Sequence, residues 1–215
     1  FRNAMYDLYK ANRTEPPEDL RPQFGLVRAA VRAFDIESIE QNGFEADDLI
    51  ATYARLAREA GVTCTIVASD KDLMQLVRDG VTMYDSMKEK RIGPAEVVEK
   101  FGVPPEKVVE VQALAGDAVD NVPGVPGIGI KTAAQLVAEY GDVEGIIAAA
   151  QSGAIKQPKR RDAIADNAAN ARISRKLVLL EDHVPLITPL DDLAIHDPEP
   201  KNLVAFLKAM EFTTI

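Results

Sequence analysis

The stretch from Asp120 to Gly141, DNVPGVPGIGIKTAAQLVAEYG, restricts this chain more than any other segment. Gly124, Gly127 and Gly129 let the backbone come close to a ligand, and Pro123 and Pro126 stiffen the turn. Gly127-Ile128-Gly129 then opens a helix whose first N–H groups have no intrahelical partner. Such an end favours an anion, and a nucleic-acid phosphate satisfies it without any base contact. Lys131 and Thr132 in the first turn add a charge and a hydroxyl, while Ala133, Ala134, Leu136 and Val137 pack behind. A Gly/Pro turn between helices is common, and a first-turn lysine ordinarily faces solvent. The whole string, unlike GIG alone, predicts a phosphate-gripping hairpin.

The elements around it fall into two kinds. FRNAMYDLYKANR predicts a short helical arm ended by Thr14-Glu15-Pro16-Pro17. Leu20, Phe24, Val27, Val31 and Phe34 predict a helix with one apolar stripe facing a core. After an extended piece at Ile36 to Ile39 comes GFEADDLIATYARLAREAG. There Ala46, Leu49, Ile50, Tyr53 and Leu56 form a stripe and Gly61 supplies the stop. VTCTIVAS reads as a buried strand, followed by a helix from Lys71 to Arg78 and a strand VTMYDSM. Residues 1–103 therefore predict an α/β layer with a mostly parallel sheet. Residues 104–215 predict helices at 104–115, 142–151, 158–180 and Leu203 to Met210, with the hairpin element at about 112–141.

Composition limits the chemistry. At 47% hydrophobic, 215 residues suffice for a core, and no apolar run nears the ~20 residues that span a bilayer. No secretory signal opens the chain. Cys64 stands alone, which excludes an internal disulfide and a cysteine zinc site; with two histidines, metal ligands must be mostly oxygen. A soluble protein of a reducing compartment is expected. A net charge of −9 opposes a nucleic-acid partner only if it is evenly spread. It is not. Arg2, Lys10 and Arg13 against Asp7 leave the arm at +2, with Tyr6 and Tyr9 interleaved. On a helix, Arg2, Tyr6, Tyr9 or Lys10, and Arg13 share a face. Residues 155–176 carry Lys156, Lys159, Arg160, Arg161, Arg172, Arg175 and Lys176 against Asp162 and Asp166, a net +5, for which a solvated helix face is the ordinary alternative.

Three acidic groups stand at element ends. Glu45, Asp47 and Asp48 open a helix, where acids also simply complement the helix dipole. Asp70 and Asp72 leave the C-terminal end of an apolar strand, where open α/β sheets bind ligands, although Ser69 or Asp70 also suits a helix cap. Asp117 and Asp120 flank the Gly/Pro turn, an ordinary place for acids. Together the seven supply the hard oxygen ligands that Mg²⁺ and Mn²⁺ prefer, and their convergence would need cations to offset repulsion.

With these residues assembled, the chain resembles the 5′-nuclease superfamily, closest to the N-terminal 5′–3′ exonuclease domain of bacterial DNA polymerase I. FR…YKANR, GFEADD, VASDKDL, ALAGDAVDNVPGVPGIGIKTA and AMEFTTI occur in that family's order across essentially the whole chain. The resemblance implies a PIN-like α/β core with a helix-three-turn-helix element gripping duplex DNA. It implies two divalent ions, the first held mainly by Glu45, Asp47, Asp48 and Asp70, the second by Asp72, Asp117 and Asp120. Lys10 and Arg13 resemble the arch residues that contact the scissile phosphate, Arg2 joins them at the DNA, and the hairpin in that family also holds a monovalent cation, usually K⁺. Expected substrates are nicked or branched duplex DNA with a 5′ end or flap, and RNA primers on DNA, in the bacterial cytoplasm. The family has two further aspartate-bearing strands ahead of the position of Phe1 and a polymerase region after this one. The chain is therefore expected to be an N-terminally truncated piece of weak or no activity. The rival expectations are a non-catalytic DNA-structure-binding module and a PIN-domain ribonuclease; the latter has no use for the hairpin.

Overall fold

A computed structural model describes residues 1–212; Thr213, Thr214 and Ile215, which end the AMEFTTI match, lie outside the described residues. In chain order the helices are α1 (Arg2–Met5), α2 (Gln23–Ala33), α3 (Ala46–Glu59), α4 (Pro94–Phe101), α5 (Val108–Ala115), α6 (Ile130–Tyr140), α7 (Val143–Gln151), α8 (Pro158–Asp166), α9 (Ala168–Val178) and α10 (Pro200–Ala209). The strands are β1 (Cys64–Val67), β2 (Val81–Asp85) and β3 (Lys90–Ile92). They form one sheet in that order. β1 pairs with β2 in parallel, Cys64 opposite Val81, and β2 with β3 antiparallel, Met83 opposite Ile92. The chain divides into two compact units. One comprises Phe1–Arg13 and Gly43–Val184, the other Thr14–Asn42 and the segment from Pro185 onward.

The first unit holds the sheet and a continuous apolar core. α5 is buried along nearly its whole circumference, as VVEVQALA allows, and packs against α6 and α9. Its Glu110 spends its charge on two partners, the Val143 N–H that opens α7 (3.0 Å) and Arg175 on α9 (2.8 Å). α4 starts at Gly93-Pro94, where the Glu96 carboxylate accepts the Gly93 N–H (2.8 Å). It stops at Gly102, whose φ of +74° suits glycine. Burial of Met83, Val97, Val108, Val111, Leu114, Ile146 and Ile164 at 0% exposure ties sheet to helices. Each such side chain contributes roughly 1.5–3 kcal/mol.

Several expectations need correction. The arm is helical only over Arg2–Met5; from Tyr6 on it runs in three-residue turns, and Lys10 sits at φ +56°, so no single helical face forms. The stripe on α2 does not face a core: Phe24 and Val27 are 45% and 61% exposed, and the helix buries no residue. Its unit offers it mainly α10, too little surface to enclose two faces. β1, expected to be buried, is an edge strand with Thr65 and Val67 exposed. The segment 71–78 forms a 3₁₀ turn over Lys71–Leu76, and the helix expected over 158–180 breaks at Asn167, whose amide returns to the Ala163 carbonyl (2.8 Å).

Candidate functional site

The sheet places the first carboxylates. Beyond β1, the Ala68 N–H still donates to Tyr84 (3.1 Å), after which the chain turns away. Asp70 then accepts the Asp72 N–H (3.0 Å), so it caps the 3₁₀ turn and stands beside Asp72 at once. After α5, Gly116 lets the chain double back, and Asp117 and Val122 exchange both backbone hydrogen bonds (3.0 and 2.7 Å). The Asp117 carboxylate closes this turn by accepting the N–H groups of Val119 and Asp120. Asp70, Asp72, Asp117 and Asp120 thereby line one open cavity of about 310 Å³, together with Arg13 and Lys71.

Cations stand between the acids. Lys71 Nζ lies 2.5 Å from Asp117, Arg13 Nη2 2.5 Å from Asp120, and Lys10 Nζ 2.7 Å from Glu45 and 3.7 Å from Asp120. Burial opposes ionising Asp117, but Lys71 and two backbone N–H groups outweigh it and hold its carboxyl below the usual range. Burial likewise opposes charging Lys10, and its bonds to Glu45 and Tyr9 outweigh it, so its pKa stands above the ordinary lysine value. Where no ammonium makes contact, and Lys71 and Lys10 act only from a distance, the balance reverses. Burial and then Asp70 push Asp72 up to about 6, against the pull of the Gln112 amide. Burial and Asp70 also raise Asp47.

Arg2 and Asp48 leave the group. Arg2 is 3% exposed and Asp48 0%; the guanidinium grips both carboxylate oxygens (2.8 and 2.7 Å) and the carbonyls of Leu177 and Leu179. Asp48 further accepts the N–H groups of Glu45 and Glu181. The expectation that Arg2 meets DNA is corrected, since its donors point inward, and Asp48 as a metal ligand is corrected because its lone pairs are already filled. The pair ties the arm to α3 and the chain after α9.

The remaining carboxylates fit divalent cations. The donors are hard oxygens, and the ammonium groups of Lys71 and Lys10 already occupy positions where positive charge is favoured. Asp72 at about 6 marks the negative charge left over. The seven do not form a tight cage. Among the described residues, the grouping whose ligand atoms all fall within 4.8 Å is the half-exposed Glu181, Asp182 and His183. Arg2 withdraws Asp48, and repulsion and the interposed lysines keep the other six looser.

The hairpin divides by role. A Cβ on Gly124 would stand 2.5 Å from the Gly116 backbone nitrogen, and the Gly124 N–H is held by Ser174 Oγ (2.9 Å). Its glycine serves the turn's own packing and its N–H is taken, which leaves its carbonyl as the group available to a ligand. Ile128 buries its side chain (5% exposed) and donates its N–H to the Val125 carbonyl (3.1 Å), leaving only its own carbonyl available. Gly127, at φ +80°, and Gly129 have open space where a side chain would be, Lys131 is exposed, and Thr132 is half-buried. Gly129 caps α6, as expected. In the second basic patch, Arg172 is spent on Glu144 and Arg175 on Glu110, whereas Lys159 and Arg160 border a cavity of about 340 Å³ with Pro126, Gly127 and Ile128.

Sequence reasoning missed Lys71 and Gln112. The first was visible as the middle of DKD. The second was visible as one of two polar residues, with Glu110, on a helix otherwise apolar all round, and its Oε1 is a buried atom with no hydrogen-bond partner.

Comparison with known proteins adds the following. The family model for 5′-3′ exonuclease, N-terminal resolvase-like domain, matches residues 1–102, and that for 5′-3′ exonuclease, C-terminal SAM fold, matches residues 103–201. A DNA polymerase I of Rhizobium leguminosarum is 58% identical over 215 residues, covering 100% of this chain and 21% of the polymerase. The chain thus spans about a fifth of that relative's length. A T5 5′-exonuclease with bound zinc superposes with a TM-score of 0.72 at 24% identity, covering 99% of this chain and 79% of that one. A bacteriophage T5 flap endonuclease, solved as a pseudo-enzyme-product complex with DNA and metal ions, gives 0.65 at 24% identity over 98% and 78%. At that identity the two structures speak for the fold alone.

Proposed function

Because the chain belongs to the 5′–3′ exonuclease family, we propose that its carboxylate cavity is the phosphodiester-hydrolysing site of a structure-specific DNA nuclease acting at 5′ ends and flaps. The observation that carries this is the continuity of the turn 117–122 with the hairpin: the segment that presents Asp117 and Asp120 to the cavity runs on within a few residues into the open backbone at Gly127 and Gly129. A duplex held by the hairpin would therefore bring a phosphate toward the acids.

Glu45, Asp47, Asp70, Asp72, Asp117 and Asp120 would hold divalent ions, Mg²⁺ or Mn²⁺ by donor hardness. Such ions supply charge neutralisation at the phosphate and activation of water. Lys10 and Arg13, at the rim beside Glu45 and Asp120, would turn to the phosphate and offset its charge. Gly127, Ile128 and Gly129 would present backbone groups to the duplex, with Lys131 and Thr132 adding phosphate contacts and a K⁺ ion completing the hairpin. Shape and phosphate spacing, rather than base edges, would select substrates, RNA primers on DNA among them. We further propose an α/β domain over 1–103 and a helical domain over 104–215, joined in the whole protein to a polymerase region in the bacterial cytoplasm. Among the described residues no helix is long and apolar enough to cross a membrane.

One observation favours a second reading. Lys71 and Arg13 already neutralise Asp117 and Asp120, as in a DNA-structure-binding module that needs no metal. A labelled 5′-flap duplex offered to the whole protein decides between them. Cleavage in Mg²⁺ that stops in chelator supports the nuclease; binding indifferent to Mg²⁺ with no cleavage supports the module.

A further inference from the structure

The segment bearing Lys10 and Arg13 is not held by a helix of its own, since α1 ends at Met5. What fixes it is the acidic turn. Asn121 Nδ2 donates to the Leu8 carbonyl (2.7 Å), Asn12 Nδ2 to the Ala118 carbonyl (2.7 Å), and the Lys10 N–H to the Asp120 carbonyl (2.9 Å). Both Asn121 and Lys10 stand at φ +56°. Asparagine tolerates that region better than other residues with a Cβ, which is a physical reason for its presence here. Between the bonded residues Tyr9 is buried on Val109, Val122, Leu177 and Val178. The result is a stitched seam: three polar bonds on the outside and one aromatic plug beneath.

We propose that Asn121 is a positioning residue, whose amide, with that of Asn12, latches the arm to the metal-site turn so that Lys10 and Arg13 stand at the cavity rim before substrate arrives. Its use in catalysis rests on the nuclease reading; the latch itself does not. The latch also makes one turn serve two tasks. The same six residues 117–122 present Asp117 and Asp120 and fix the height of the two cations above them. An arm free to swing would have to be ordered by each substrate anew.

The test compares Asn121→Gly, which keeps the backbone freedom and removes the amide, with Asn12→Ala. Amide exchange at Lys10, followed by NMR, should accelerate about fivefold in each, the weight of one net hydrogen bond. On a 5′-flap duplex, kcat should fall by a similar factor with KM unchanged. Adding Asn121→Gly to the double variant Lys10→Met, Arg13→Met should cost nothing further, a coupling that a merely structural asparagine would not show. Unchanged Lys10 exchange in both variants overturns the latch, and so do losses that simply multiply. If Asn121→Gly does not fold, Asn12→Ala, at an exposed position, carries the same decision. If the whole unaltered protein cleaves nothing, the nuclease reading fails and the exchange rates still decide the latch.

Discussion

Replacing Arg2 by methionine separates a structural arginine from a DNA-contacting one. The guanidinium gives four hydrogen bonds, two to Asp48 and one each to the carbonyls of Leu177 and Leu179. Its side chain is 2% exposed and that of Asp48 0%, so solvent neither screens the pair nor replaces the lost donors. Methionine would leave Asp48 buried with only the N–H groups of Glu45 and Glu181. Breaking one side of a buried ion pair costs ~3–5 kcal/mol, a large share of the ~5–15 kcal/mol that folds a domain. Urea unfolding at neutral pH should show that loss, little changed between low and high salt. The double variant Arg2→Met with Asp48→Leu should regain part of it, because no bare charge remains. A loss below ~1 kcal/mol, together with a shallower salt dependence of flap binding, would return Arg2 to the DNA surface and refute the buried-pair argument.

Two other expectations follow from the same charges. Asp72, whose folded pKa of about 6 lies above the unfolded value near ~3.9, costs stability above pH 6 and is relieved as pH falls through 6. Asp48 and Asp117, depressed in the folded state, contribute stability that is lost below about pH 4. In chelator, stability should thus rise by roughly 1.3 kcal/mol from pH 7 to 5 and fall below about pH 4; Asp72→Asn should remove most of the rise, leaving the share of Asp47, and an undiminished rise in that variant would show the origin to be elsewhere. At the hairpin, Lys131→Ala should weaken binding to all duplex sequences alike and lower the salt slope by about 0.9; a sequence-selective loss would contradict a phosphate role.

The legible parts of the chain were those governed by local rules. Gly129 as the cap of α6 and Asp70 as the cap of a turn follow from backbone chemistry within a few residues. The parallel pairing of β1 with β2 follows from apolar runs on either side of a helical turn. Partnerships across long sequence separations were not legible. That Arg2 meets Asp48 and the carbonyls at the end of α9, rather than a phosphate, depends on residues 46 to 177 positions away, and an exposed arginine has the same spelling. The arm failed as a helix for a related reason: Lys10 is pulled to φ +56° by its tie to Asp120, 110 residues on, and no local propensity records that pull. β3 was missed because three residues, KRI, carry no periodicity to detect.

The arrangement of countercharges orders how metal ions should enter. Two carboxylates ~6 Å apart repel by about 3 kcal/mol at an effective dielectric constant of 20, so an acidic cavity folds only where that repulsion is offset. Here the offset is uneven. Asp117 and Asp120 have Lys71 and Arg13 in contact, whereas Asp47 and Asp72, each beside Asp70, feel Lys10 and Lys71 only at longer range, too weakly to offset burial and repulsion, and both are raised. A first divalent ion gains most at the uncompensated corner. A second, at Asp117 and Asp120, must displace an ammonium and a guanidinium and recovers only the difference. Mn²⁺ titration by calorimetry should therefore resolve a tighter and a weaker step. Lys71→Met should strengthen the weaker step most and the tighter one less, because Lys71 touches Asp117 but acts on Asp70 and Asp72 only from a distance. In metal-free buffer it should cost ~1 kcal/mol, a figure discounted because Lys71 is 38% exposed. Two equal steps, or a Lys71→Met variant that binds the weaker ion no better, would mean that the lysine is not holding the ion's place.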